Sequence, residues 1–135
     1  MNTRRFMSCL LGLFLLAQFV DAARLEGIRS FEHKRFTRVV FDLSDKVEYR
    51  VSKRLKGGYV DLLLQGDLSR RMPEEMSIQK GGVLKATQLR KTSTAMTWRL
   101  SFEGIERVST MTLDEQPYKV VLDFSSEAVA ASPPP

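Results

Sequence analysis

The chain has 135 residues, 21 Lys and Arg against 16 Asp and Glu, a formal net charge of +5, and one each of cysteine, histidine and tryptophan. The charge is mild and short of the dense basic stripe of a nucleic-acid binder, so nucleic acid is not an expected partner. One histidine and one cysteine argue against a His/Cys zinc centre, and a lone cysteine forms no internal disulfide.

Arg4 and Arg5 precede an apolar run from Phe6 to Val20, and Val20-Asp21-Ala22-Ala23 then offers small residues for cleavage. A positive start, a short apolar core and a small-residue exit form the secretory signal pattern, and the run falls short of the roughly 20 residues that span a membrane. The expectation is a signal peptide over residues 1–22, cut near Ala22, and a periplasmic product that meets the membrane only during export. Cys9 lies before most of the apolar run, where a lipoprotein cysteine would follow it. Cleavage takes Arg4, Arg5 and Asp21 from the 21 basic and 16 acidic residues, which leaves 19 and 15, a net +4 with no cysteine. An exported domain without disulfides fits a bacterial envelope better than a eukaryotic secretory route.

From residue 25 onward the pattern is that of short strands. Residues 25–31 read as a first strand and residues 36–43 as a second. In the second, Val39, Phe41 and Leu43 share one face, and Arg38, Val40 and Asp42 share the other. Residues 47–51 alternate cleanly, and Lys56-Gly57-Gly58 is a hairpin turn before a more continuously apolar, central strand over 59–64. Residues 65–82 break the pattern. They read as a connector from one sheet to the other, with a short helix over 70–78 capped by Asp67 or Ser69 and limited by Pro73. Strands follow over 83–90, 94–101, 105–113 and 118–124. The fifth to eighth place Met96, Trp98 and Leu100 inward, Arg99 outward, and a bulge near Arg107 and Val108. Residues 128–135 are Ala, Ser, Val and Pro and read as a tail or linker.

The pattern is doubled. Phe41-Asp42-Leu43 is answered by Trp98-Arg99-Leu100, Val47-Glu48 by Ile105-Glu106, and the strand from Tyr59 by the strand from Tyr118. Halves at about 25–68 and 83–124 predict an all-β sandwich of two similar four-stranded sheets, since one such sheet cannot bury its apolar face alone.

Ile28-Arg29-Ser30-Phe31, then Thr37-Arg38-Val39-Val40-Phe41-Asp42-Leu43 and Val47-Glu48-Tyr49-Arg50-Val51, resembles the AMIN domain, the amidase N-terminal domain of bacterial envelope proteins. The resemblance covers residues 25–124 and places an AMIN-like domain at 23–127. It implies a β-sandwich that is non-catalytic, uses no cofactor, binds peptidoglycan and targets its host protein to a place in the cell wall such as the septum. Similar domains precede N-acetylmuramoyl-L-alanine amidase domains that act in peptidoglycan turnover and cell division, and they occur in pilus and secretin assemblies. A cell-wall amidase domain and secretin or pilus proteins are therefore the implied protein partners.

The residues agree with a binding module over an enzyme. Zinc hydrolysis needs about three His, Asp, Glu or Cys ligands and an open position, and His33 sits in a charged turn. Asp42 with Asp61, or Glu103 with Glu106, is a conceivable carboxylate pair for sugar hydrolysis, but alternation places these residues on solvated faces. Arginine forks bind carboxylates, which peptidoglycan stems present, and a sheet face suits an extended polymer. The candidate ligand residues are Arg38, with Thr37 beside it, and Arg29, Arg50 and Arg99. The plain alternative is that these arginines only solvate strands and blunt edge pairing. Tyr49, Tyr59, Tyr118, Trp98 and Phe41 divide between sugar-stacking platforms and core, with strand periodicity favouring core.

Overall fold

The computed structural model describes residues 23–66, 73–115 and 118–126. The expected signal segment, the tail over 128–135, and the first part of the expected helix lie outside the described residues. Nine strands are described: β1 (Leu25–Glu32), β2 (Thr37–Leu43), β3 (Glu48–Arg54), β4 (Tyr59–Gln65), β5 (Glu75–Lys80), β6 (Val83–Lys91), β7 (Ala95–Phe102), β8 (Arg107–Leu113) and β9 (Tyr118–Ser125). They form two antiparallel sheets, one in the order β1-β2-β9-β8 and one in the order β3-β4-β7-β6-β5. The fold is the expected all-β sandwich. Alternation makes the strands: β7 buries Met96, Trp98, Leu100 and Phe102 and turns Ala95, Thr97, Arg99 and Ser101 outward. The inward residues of both sheets form one core. Phe41 meets Trp98 edge-on at 6.3 Å between ring centroids, and Phe102 lies 5.7 Å from Phe124, so both aromatic contacts cross the sandwich. The Trp98 indole N–H donates to the Met96 sulfur at 2.7 Å, which gives that buried donor a partner.

Three expectations are corrected. Residues 75–78 are strand, not helix, and β5 makes the second sheet five-stranded. Met76 and Ile78 alternate with exposed Glu75, Ser77 and Gln79, a period-two pattern that a helix would not bury, and Ile78 packs on the core. The β5–β6 hairpin closes through Gly81 and Gly82 at φ 53° and 89°, both in the left-handed region that a tight two-residue turn requires. Second, the chain does not change sheets through the segment after β4. It crosses between β2 and β3 and again between β7 and β8, where Val47 and Ile105 each enter the core at 6% exposure. Each sheet therefore draws two strands from 25–65 and two or more from 75–125. Third, β8 pairs with β9 in unbroken register, and the shifts fall in β6 and at the Leu25/Gly27 and Ser77/Lys80 steps.

The edges differ. Lys80 Nζ donates to the Ser30 carbonyl oxygen at 3.1 Å and to Ser30 Oγ at 3.0 Å, which ties the end of β5 to β1. On the opposite side, edge strands β3 and β8 leave a groove between the sheets.

Candidate functional site

Strand pairing brings an arginine opposite an aspartate at the centre of each sheet. Arg38 on β2 faces Asp123 on β9, and Arg99 on β7 faces Asp61 on β4. Both pairs are bidentate. Arg38 donates from Nε to Asp123 Oδ1 at 2.8 Å and from Nη2 to Oδ2 at 3.0 Å. Arg99 makes the same fork to Asp61, at 2.8 Å and 3.0 Å. A third fork joins Arg29 Nε to Asp42 Oδ2 at 2.5 Å and Arg29 Nη2 to Asp42 Oδ1 at 2.9 Å, diagonally across β1 and β2. The pKa of all three guanidinium groups is raised, chiefly by the hydrogen bond to the aspartate, against the desolvation that opposes it.

Each fork also lies against an aromatic ring. The Arg99 guanidinium carbon is 3.8 Å from the Tyr59 ring centroid, Arg38 is 5.3 Å from that of Phe36, and Arg29 is 5.5 Å from that of Phe31. Phe36 also stacks with His33, with ring centroids 4.5 Å apart. On the first sheet, Val40 and Val121 face outward by register, stand outside the core cluster and yet are 4% and 1% exposed. Arg38, Asp42, Lys119 and Asp123 surround them in the strand grid, with Arg29 and Met111 at either side. Side chains of that length can lie across a valine and keep water from it.

A guanidinium has five N–H donors, and each fork uses two, so three remain for a ligand. The carboxylate already neutralises the charge. The free donors therefore suit a neutral acceptor, a hydroxyl or an amide carbonyl, better than a second carboxylate. This changes the chemistry expected of the arginines, because the forks expected to bind ligand carboxylates are already occupied by Asp42, Asp61 and Asp123.

The five candidate residues do not form one site. Arg29 and Arg38 share the outer face of the four-stranded sheet. Arg99 and Arg50 belong to the other sheet, so Arg50 does not join Arg38, since β3 lies in the other sheet from β1 and β2. Arg50 is exposed, and among the described residues it has no ion-pair partner. Thr37 is 1% exposed and inward-facing, where it packs beneath the Gly81 turn. It has a structural position, not a place on the face. Asp42 and Asp61 lie in different sheets, each held by its arginine. Phe41, Trp98 and Tyr118 are core, and Tyr59 lies beneath Arg99 on the outer face. The pairing of the arginines with Asp42, Asp61 and Asp123, and the rings Phe31 and Phe36 against them, were not anticipated. Their signal, an outward Asp on a strand paired with an outward Arg, exists only once β2–β9 and β4–β7 are known to be neighbours.

The class defined here is a two-sheet β-sandwich with arginine–aspartate pairs over aromatic rings on both outer faces. No family model matches the chain, and no curated protein matches it.

Proposed function

We propose that this chain is an exported, periplasmic, non-catalytic module that binds peptidoglycan and targets its host protein to the cell wall. The observation that carries the reading is the pair of outer faces, each with a fixed guanidinium over a ring and, among the described residues, three N–H donors beyond the two its fork uses. Glycan hydroxyls and the amide carbonyls of stem peptides are neutral acceptors that such faces can bind, and aromatic rings offer apolar surface to sugar faces. The resemblance of residues 25–124 to AMIN domains and the signal-like start of the chain support the same reading.

The test is co-sedimentation with purified sacculi over a salt series. Saturable pelleting that persists at moderate salt is expected, because neutralised pairs bind through hydrogen bonds. Loss of pelleting once the Debye length falls to about 8–10 Å would reduce the effect to a basic protein on an anionic polymer and defeat the proposal. Arg38→Ala and Arg99→Ala should each weaken pelleting without unfolding the chain.

A second reading is favoured by β3 and β8, which among the described residues are edge strands, and by Met111 and Leu113 of β8, which are 39% and 42% exposed. Such an edge can accept a strand from a protein, as in a secretin or pilus assembly. A defined envelope partner captured with no affinity for sacculi would replace the first reading with this one.

A further inference from the structure

The outer-face arginines already hold a carboxylate, so a ligand carboxylate must be met elsewhere. The groove between β3 and β8 has the means. It encloses about 380 Å³, near the lower end of the roughly 300–1,000 Å³ of small-molecule sites. Lys46, Glu48 and Arg50 line one side, Tyr49 and Tyr118 contribute rings, and Thr112 comes from the opposite sheet. Lys46, Glu48 and Arg50 are all exposed, and among the described residues none of the three side chains has an ion-pair partner. Elsewhere on these faces, arginines with a carboxylate in reach are paired with it.

We propose that this groove binds the zwitterionic end of a short peptide, a group that carries an ammonium and a carboxylate within a few bonds. The three charges alternate in sign at every second residue, a spacing of about 7 Å along an extended chain. A ligand with only negative charge meets repulsion from Glu48, and one with only positive charge meets it from Lys46 and Arg50. A ligand with both satisfies all three. The guanidinium of Arg50 supplies the arginine fork at this groove, the Glu48 carboxylate takes the ammonium, and Tyr118, 6% exposed, and Tyr49 wall the stem. The inference rests on the cell-wall reading, in which the ligand is the free end of a stem peptide, and it assigns that end to a place separate from the sugar-facing pairs.

The test is calorimetric titration of the protein purified from expressing cells, with the N-terminal processing that those cells give it. The titrants are a muropeptide with free amine and carboxylates, the same muropeptide after acetylation of its amine, and free lysine. Arg50→Gln should weaken the unmodified muropeptide on the order of tenfold, as loss of a charge-assisted contact does. Glu48→Gln should weaken it less and make no difference to the acetylated ligand. Unchanged Trp98 fluorescence in both variants shows that they are folded. Lysine bound with the same dependence on Arg50 and Glu48 supports the groove chemistry and assigns its source to free amino acids. Wild-type affinity in Arg50→Gln and Glu48→Gln overturns the proposal; if Arg38→Ala still weakens sacculus pelleting, the wall-binding reading survives that result. If the wild type binds neither sacculi nor any of the three titrants, both fall.

Discussion

Replacing Arg38 with alanine removes two things at once. It breaks the fork to Asp123 and lifts a cation from the Phe36 ring. An opposite-charge pair across two strands contributes about 0.2–1 kcal/mol, and a cation over an exposed ring about 0.5–1 kcal/mol. The Arg38 and Asp123 side chains are only 32% and 14% exposed, so the pair is screened less than a fully solvated one. The sum puts Arg38→Ala at about 1–2 kcal/mol, which for a domain of this size lowers the melting temperature by about 5–15 °C. Asp123→Ala loses only the pair, about 0.5–1 kcal/mol. A double-mutant cycle over both sites should therefore give a coupling of about 0.5–1 kcal/mol. Urea unfolding followed by Trp98 fluorescence is the assay, because Trp98 is the only tryptophan and is fully buried against Phe41. The raised guanidinium pKa means that this stabilisation is complete below the ordinary arginine range and is lost only above it, so arginine titration leaves the coupling equal at pH 7 and pH 9. A coupling under about 0.3 kcal/mol, the scatter of independent sites, would refute the argument that the pair acts as a unit.

Three further substitutions probe separate parts of the reasoning. Val121→Ala, on the outer face but 1% exposed, should cost about 1–2 kcal/mol in thermal unfolding; a change near zero would show that the valine layer is not shielded from water. Gly82→Ala should cost about 1–3 kcal/mol, because φ is 89° and the added Cβ would come 2.5 Å from the Glu103 carbonyl oxygen. Its readout is the urea midpoint, and a wild-type midpoint would mean that the β5–β6 turn is looser than its geometry. Arg99→Lys keeps the charge but loses the fork to Asp61 and the flat stack on Tyr59; sacculus pelleting should fall while stability drops by under about 1 kcal/mol, and wild-type pelleting would remove the fork from the binding surface.

Strand periodicity carried most of the fold. Val39, Phe41 and Leu43 inward, Arg38 and Asp42 outward, and the Met96-Trp98-Leu100 set inward all follow from a period of two, and the structure places them so. Residues 75–80 escaped because the capping residues Asp67 and Ser69 suggest a helix, which Pro73 only limits, while the alternation of Met76 and Ile78 is short and only half buried. Local propensity lost there to a hairpin partner that β6 supplies. The site was half legible for a different reason. Phase along a strand tells which way Arg38 and Arg99 point, and it pointed both outward, as the structure places them. It does not tell which strand lies beside them. Asp123 is 85 residues from Arg38 and Asp61 is 38 from Arg99, and nothing local to either arginine identifies its partner. Thr37, named for its place beside Arg38, belongs to the inward phase of β2, since the neighbour of an outward residue on a strand faces inward.

The way the halves share the sheets explains why the two faces are alike. Exchange β1–β4 for β6–β9 and the order β1-β2-β9-β8 becomes β6-β7-β4-β3, which is the order of the second sheet without β5. Under that exchange the β2–β9 pair becomes the β7–β4 pair, and Arg38 facing Asp123 becomes Arg99 facing Asp61. The counterpart of Arg99 is thus Arg38, whereas the sequence match set it against Asp42. In each pair the arginine belongs to one half and the aspartate to the other, so neither fork can form until both halves have assembled. The faces are therefore a readout of the complete sandwich. Arg50 differs in kind: among the described residues β3 is an edge strand with no strand beyond it to supply an aspartate, and no ion-pair partner there holds its fork at the groove.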